Sequence, residues 1–275
     1  MNTPGKILTV LVLYEMQLDV SPAYRSLSRA LERAQEKGQL FIYDNSLVAQ
    51  LLPHSNDWSI YYYHDPSNPG VSRAYNAAAV HARQLQLEWL LFADQDTSFP
   101  ENIYERYLQS VDAFRDCHVF APSLIDEKGV VSPFQPGIAS GTRMKKIIPG
   151  KKSLNEIQVI NSGLLIDLET FESAGGYDER LRLDFSDFIF LKRLKRCIQD
   201  IIIINAECSH ELSSSRKGTL SHALNRFEIY LKGTKVMRHK ESAFVFVYTA
   251  FLRAIKLSIR YRSGKFIGSF LSNEL

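Results

Sequence analysis

Apolar and polar positions alternate between two periods along this chain. Ile7 to Leu13 (ILTVLVL) is a continuous, β-branched apolar run of strand length, the pattern of a parallel strand covered on both faces. Ser21-Pro22 then supplies an N-cap and a first-turn proline. Leu27, Leu31 and Ala34 recur at helical spacing, and Gly38 is expected to close that helix. Leu40 to Tyr43 and Ser59 to Tyr63 read as two further short strands, with Asp44-Asn45-Ser46 as the turn after the first. A helix from Val71 to about Leu87 leads into Trp89 to Ala93, another buried strand. The order β-α-β-β-α-β predicts a doubly wound α/β sheet, in which ligands sit beyond the carboxyl ends of the strands.

The pattern is looser beyond this point. A helix from Pro100 precedes a strand at His118 to Ala121, and residues 126 to 157, rich in Gly, Pro, Ser and Lys, read as a long irregular loop. Val159 to Ile166 returns to strand character. A short helix ends at Gly175-Gly176, and Ile201 to Ile204 is a buried strand followed by a turn-like stretch, Asn205 to Ser209.

Composition refines the picture in one place. The 275 residues, 45% hydrophobic and 23% charged, are an ordinary globular mixture that excludes disordered, collagen-like and disulfide-scaffold classes. The net charge of +3 is unevenly spread: residues 1 to 211 carry −6 and residues 212 to 275 carry +9. The expected division is therefore a catalytic domain over 1–212 and a basic helical extension over 213–275. Such a basic block suggests an anionic partner, nucleic acid or the cytoplasmic face of a membrane. Cys117, Cys197 and Cys208 have no C-x-x-C spacing and read as reduced core residues of a cytosolic protein. The apolar run near the N-terminus is too short for a signal segment, and the uncharged stretch of the tail, Ser242 to Leu252, falls well below the roughly 20 residues of a membrane helix.

Candidate chemistry sits at strand ends. Asp94 and Asp96, two apart after the strand WLLFA, can converge on a divalent cation such as Mg²⁺ or Mn²⁺, although a capped, solvated turn has the same pattern. Asp184 and Asp187 lie at a helix start, where Asp184 reads as an N-cap and Asp187 either as a first-turn residue or as a general base. His210 alone reads as a structural histidine. P-loop, dinucleotide, zincin and α/β-hydrolase motifs are absent.

Together these segments resemble a family 2 glycosyltransferase, most closely the bacterial rhamnosyltransferase-like branch. The resemblance covers about Ile7 to Leu212 and rests on the Asp44-Asn45-Ser46 turn, NPGVSRAYNAA (Asn68 to Ala78), LLFADQDTSFP (Leu90 to Pro100), NSGLLI (Asn161 to Ile166), GGYDERL (Gly175 to Leu181) with LDFSDFIFLKRL (Leu183 to Leu194), and SHEL (Ser209 to Leu212). It implies a GT-A fold, a Rossmann-like mixed sheet, and inverting transfer of a sugar from a nucleotide diphosphate. By the resemblance, Asp44, Asn68, Gly70, Arg73, Asn76 and Asp94 line the nucleotide pocket. Asp96 and His210 hold Mn²⁺ or Mg²⁺, Asp187 is the catalytic base, and Asn161, Ser162, Gly163 and Asp184 flank the donor sugar and acceptor. The chain departs from the family pattern at Ile189, where an acidic residue is usual, and at Tyr14-Glu15 and Arg73.

The basic tail completes the expectation. Phe251, Leu252, Ile255 and Ile259 share one stripe of a helix at about 100° per residue, and Arg253, Lys256 and Arg260 occupy the adjacent stripe. Packing on the catalytic domain and lying in a membrane interface both fit that amphipathic pattern, and the aromatics Tyr261, Phe266 and Phe270 favour the membrane. No nucleic-acid-binding signature accompanies the tail, so nucleic acid is not an expected partner. The expected protein is a peripheral enzyme on the cytoplasmic face of the plasma membrane. It takes a nucleotide-diphosphate sugar, dTDP-rhamnose first, and a polyprenyl-linked oligosaccharide acceptor of surface polysaccharide assembly. A UDP-hexose donor, nucleotidyl transfer and a non-catalytic membrane scaffold are the alternatives.

Overall fold

The computed structural model describes residues 4–137, 141–210 and 218–273. The chain begins with β1 (Ile7–Leu13), α1 (Pro22–Ala34), β2 (Gly38–Asp44), β3 (Trp58–His64), α2 (Val71–Gln84) and β4 (Trp89–Asp94). The two-residue β5 (Thr97–Ser98), α3 (Ile103–Ala113) and β6 (Val119–Asp126) follow. Four short strands come next: β7 (Gly129–Ser132), β8 (Phe134–Gln135), β9 (Thr142–Arg143) and β10 (Gly150–Ser153). After β11 (Leu165–Asp167), α4 (Leu168–Ser173), α5 (Ser186–Leu194) and β12 (Asp200–His210), the chain ends in α6 (Leu220–Met237), α7 (Ala243–Tyr261) and α8 (Lys265–Ser272).

The main sheet runs β10-β12-β6-β11-β4-β1-β2-β3. Strands β3, β2, β1 and β4 are mutually parallel, and β11 is antiparallel to both its neighbours, so the sheet is mixed. Period-two alternation divides the core into two layers. Leu8, Val10 and Val12 of β1 face α2, while Ile7, Leu11 and Leu13 face α1 and α3. The chain leaves β1 toward β2 and β3, then returns to the other side of β1 with β4. That reversal opens a crevice at the carboxyl ends of β1 and β4.

Several expectations need correction. Helix α1 ends at Ala34 with Gln35 in the left-handed region (φ 53°), and Gly38 opens β2 instead of closing the helix. A Cβ at Gly38 would sit 2.6 Å from the Trp58 ring, so the glycine serves strand packing. Helix α2 stops at Gln84, α3 starts at Ile103, and β6 continues to Asp126. The expected loop over 126–157 contains β7, β8, β9 and β10. Of the expected strand at 159–166 only Leu165 and Ile166 lie in a strand, β11, which runs on to Asp167, because Gly163, at φ 79°, turns the chain beside the crevice.

The turn-like Asn205 to Ser209 lies inside β12. Its register against β6 shifts between Ile203 and Glu207, so the turn composition marks a bulge and pairing resumes through Ser209. Among the cysteines, Cys208 is buried, Cys117 half-buried and Cys197 exposed. The expected domain boundary at 212/213 lies outside the described residues.

The C-terminal helices are tied to the sheet domain. Helix α7 packs with Phe246, Ala250 and Ala254, roughly opposite the stripe of Phe251, Leu252 and Ile259, which remains exposed. No helix of the described residues is long and apolar enough to cross a membrane. The charged tie is Asp178, only 5% exposed, with Arg180 and Lys240 each at 2.9 Å and Arg193 at 3.6 Å. Hydrogen bonding by Arg180 first, and then the Lys240 ammonium, hold its carboxyl well below the usual carboxylate range. A depressed native pKa contributes stability above the unfolded value of about 3.9, and that stability is lost as pH falls through the native value. Asp178→Asn is therefore expected to lower stability at pH 7 by about 2 kcal/mol, less than a fully buried pair because Arg180 and Lys240 reach solvent. Urea unfolding at pH 7 and in strong acid checks this, since the difference should shrink only in acid.

Candidate active site

A pocket of about 290 Å³ occupies the crevice beyond the carboxyl ends of β1 and β4. Val12 and Tyr14 enter from β1, Asn45 from the turn after β2, and Asn68 and Gly70 from the loop before α2. Asp94, Gln95 and Asp96 form its floor at the end of β4, and His210 closes it from the end of β12. The loop before α2 is fixed by backbone geometry. Asn68 and Gly70 both have positive φ (49° and 95°), and a Cβ at Gly70 would lie 2.0 Å from the Arg182 carbonyl oxygen. That carbonyl instead accepts a hydrogen bond from the Val71 amide at 2.9 Å, which brings Arg182 to the pocket wall.

Asp94, Asp96 and His210 each present a ligand atom within 4.8 Å of the others. Their convergence depends on the bulge in β12, after which His210 pairs with Thr97 of β5. The Thr97 hydroxyl lies 2.7 Å from His210 Nδ1 and 2.7 Å from Ser162 Oγ, which in turn accepts the Asp94 amide at 3.0 Å. The same Nδ1 faces Asp96, whose Oδ1 lies 3.8 Å away. Gln95 anchors the floor by accepting the Tyr14 amide at 2.8 Å and donating to the Tyr14 carbonyl at 3.2 Å.

Burial raises the Asp94 carboxyl, and the adjacent Asp96 carboxylate adds to the shift. Burial lowers His210 from its ordinary value and so favours the neutral imidazole that binds metals. Two hard carboxylate oxygens and one imidazole nitrogen fit Mn²⁺ or Mg²⁺.

A second chamber, of about 330 Å³, carries Asp187 and the rings of Phe134, Phe185, Phe188 and Phe246. Leu183 and Arg226 line both chambers and mark where they meet. Asp187 sits in the first turn of α5. Its Oδ1 accepts from the Asn161 amide and from Ser186 Oγ at 3.0 Å, and Asn161 is itself held by the Tyr177 hydroxyl. Burial first, and then the charge of Asp94, push the Asp187 carboxyl up to about 7.

The structure thus gathers Asn68, Gly70, Asp94, Asp96 and His210 at one pocket and Asp184 and Asp187 at the adjoining one. Asn161 supports Asp187, and Ser162 supports Asp94. Gly163 fastens the intervening loop by donating to the Phe92 carbonyl at 2.8 Å and accepting from Tyr107. Asp184 is not the N-cap of α5. Phe185 holds that position, and Asp184 pairs with Arg226 and, at 3.7 Å, with Arg253.

Asp44, Arg73 and Asn76 stand outside the pocket lining. The Asp44 carboxylate accepts from Tyr62 at 2.8 Å, the Ser46 amide at 2.9 Å and Gln50 at 3.0 Å, which leaves neighbouring Asn45 on the wall. Arg73 pairs with Glu179 at 3.0 Å, and Asn76 bonds the backbone of Tyr177. Sequence reasoning missed Asn45, Arg182 and a group from α6: His222, Asn225, Arg226 and Ile229. Only the helical spacing of the α6 residues offered a signal, and it carries no information about what the helix faces.

The sequence significantly matches no family model and no curated protein. Solved structures do match in shape. S. aureus TarS is 12% identical over 83% of this chain and 39% of its own, with a TM-score of 0.51. GalNAc-T7, solved with UDP, GalNAc and Mn²⁺, is 14% identical over 81% of this chain and 47% of its own, with a TM-score of 0.52. The chain spans less than half the length of either protein. With the mostly parallel central sheet and the helices that follow it, this likeness establishes a GT-A fold for the chain.

Proposed function

We propose that this protein is a cation-dependent inverting glycosyltransferase that moves a sugar from a nucleotide diphosphate to an acceptor hydroxyl. The observation that carries the reading is the meeting of two chambers at Leu183 and Arg226, one holding the Asp94, Asp96 and His210 trio and the other Asp187. The UDP, GalNAc and Mn²⁺ held by GalNAc-T7 support a nucleotide-sugar donor and a divalent cation. The motif resemblance favours L-rhamnose from dTDP-rhamnose as donor and a polyprenyl-linked oligosaccharide of O-antigen or capsule assembly as acceptor. A UDP-hexose donor is the second reading, favoured by the UDP of GalNAc-T7.

Asp94, Asp96 and His210 would hold Mn²⁺ or Mg²⁺, which when bound would supply positive charge to the leaving diphosphate. The loop of Asn68 and Gly70, with Asn45, forms the nucleoside end of the pocket, while Asp44, Arg73 and Asn76 hold the elements around it. Asp187 acts in the adjoining chamber. Asn161 and Ser186 occupy its Oδ1, so Oδ2 takes the acceptor's hydroxyl proton as that oxygen bonds to the anomeric carbon and the bond to the diphosphate breaks. Attack from the side opposite the leaving group inverts the anomeric centre without a covalent enzyme intermediate.

The protein is further proposed to work at the cytoplasmic face of the plasma membrane. The exposed apolar residues Phe244, Ile259 and Leu271 support that placement, as do the basic residues of the last quarter of the chain.

Kinetics, melting, calorimetry and vesicle sedimentation test the reading. Asp187→Asn should lower kcat by about 10²- to 10⁴-fold while leaving nucleotide binding intact. A carboxyl raised above its unfolded value stabilises at low pH, and that contribution is lost as pH rises through about 7. The same variant should therefore melt higher than the wild type at pH 8, with the gap narrowing as pH falls and closing near the unfolded value of about 4, and wild-type kcat/KM should fall as pH drops through about 7. Calorimetry with UDP or dTDP should show nucleotide binding that requires Mn²⁺ or Mg²⁺ and is lost in Asp96→Ala and His210→Ala. Sedimentation with phosphatidylglycerol-containing vesicles should retain the wild type, less so at high salt, and release a variant carrying Ile259→Asp and Leu271→Asp.

A further inference from the structure

A concave site distinct from both chambers opens on the far part of α6. Lys232, Lys235 and Val236 of that helix line it with Arg180 from the loop before α5 and with His239 and Lys240 from the turn after α6, around a volume of about 500 Å³. The only carboxylate paired with these cations among the described residues is Asp178, which Arg180, Lys240 and Arg193 share. Lys232 and Lys235 are exposed and form no ion pair among the described residues. The site is therefore strongly cationic and suited to an anion with several oxygen acceptors.

Its surroundings narrow the anion. His239 also lines a neighbouring groove of about 640 Å³ whose other walls include Phe244, Val247, Tyr248, Phe251 and Phe270. A cationic pocket that continues into an aromatic groove complements a phosphate joined to a hydrocarbon chain. The pocket is also close to the reaction site. Ile229 lines the donor pocket and Lys232 the cationic one, three residues or about 4.5 Å apart along α6. Arg182 and Arg180 repeat the relation two residues apart on the facing loop.

We propose that this composite site holds the phosphorylated hydrocarbon tail of the acceptor, with phosphate or diphosphate against Lys232, Lys235 and Arg180 and the chain in the groove of α7 and α8. The assignment of this amphiphile as the acceptor rests on the glycosyltransferase reading. A bilayer phospholipid has the same two parts, and the continuity with the reaction site argues for the acceptor over it. Bound in this way, the tail fixes one end of the acceptor about one helical turn beyond the donor pocket and leaves its glycan to reach Asp187.

The test uses farnesyl diphosphate, inorganic pyrophosphate and farnesol in calorimetry with the full chain, in EDTA so that no ion on the carboxylate trio captures diphosphate. Wild type should bind farnesyl diphosphate more tightly than pyrophosphate or farnesol. The exposed pair Lys232→Gln and Lys235→Gln should weaken both diphosphates by about tenfold or more, the loss of about one charge-assisted contact. Phe251→Asp should weaken farnesyl diphosphate alone. Both variants should keep wild-type circular dichroism and wild-type UDP affinity in Mn²⁺. Undiminished binding of farnesyl diphosphate to the lysine variant overturns the proposal. So does a wild type that ignores farnesyl diphosphate while the lysine variant loses only its retention on phosphatidylglycerol vesicles, which makes the patch a bilayer contact. A wild type that binds farnesyl diphosphate through these residues but takes no nucleotide in Mn²⁺ keeps the site and sinks the glycosyltransferase reading.

Discussion

Like-charge crowding in a low-dielectric crevice governs this structure. Asp94, Asp96 and Asp187 gather beyond the ends of the sheet, and burial with mutual repulsion raises Asp94 and Asp187 above the carboxylate range. Such an arrangement costs stability near neutral pH unless a cation joins it or a proton is retained. The surroundings hold it in place through neutral contacts: the Tyr75 hydroxyl at 3.3 Å from Asp94, Ser162 and Thr97 between Asp94 and His210, and Asn161 with Tyr177 behind Asp187. Removing these contacts would free the carboxylates to turn toward water. Their fixed geometry holds three carboxyls and an imidazole together in one crevice.

The C-terminal helices belong to that arrangement in space, although their charge sets them apart in sequence. Arg226 of α6 reaches both chambers while paired with Asp184, and Arg253 of α7 lies 3.7 Å from the same carboxylate and 4.0 Å from the centre of the Tyr230 ring. Arg253, which helical spacing puts on one basic stripe with Lys256 and Arg260, is therefore turned inward. The partly buried Arg226 and Arg253 place positive charge beside an acidic crevice, where the lower dielectric gives it more reach than surface charge has. One basic segment thus serves two surfaces, the wall of the chambers and the exposed face of α7 and α8.

The legible parts of the sequence were those decided by local physics. Strand β1 and strand β4 as far as Ala93 read directly from continuous β-branched and apolar runs, and the N-cap of α1 from Ser21-Pro22, because burial on both faces and capping leave local signatures. The pairing of Asp94 with Asp96 followed from strand alternation. Where long-range pairing decided the outcome, composition misled. Asn205 to Ser209 looks like a turn, yet pairing with β6 and β5 extends β12 through it to His210. Residues 126 to 157 look irregular because their strands are only two to four residues long within that span. The contribution of α6 was illegible for a related reason: spacing places His222, Asn225, Arg226 and Ile229 on one helix face, and only tertiary docking decides what that face meets.

The bulge in β12 shows how closely fold and chemistry are joined. The register against β6 shifts by two positions between Ile203 and Glu207, which preserves the alternation of faces and draws the residues beyond it back by about 6.6 Å along β6. Without that shift His210 would lie two residues further along β6, beyond its present pairing with Thr97. The irregularity that obscured β12 in the sequence is thus the feature that sets the His210 imidazole level with the Asp94 and Asp96 carboxyls. In a sheet whose regular strands serve mainly to bury apolar surface, the site is assembled where that regularity breaks: at this bulge, at the left-handed Gly163 and at the crowded Gly70.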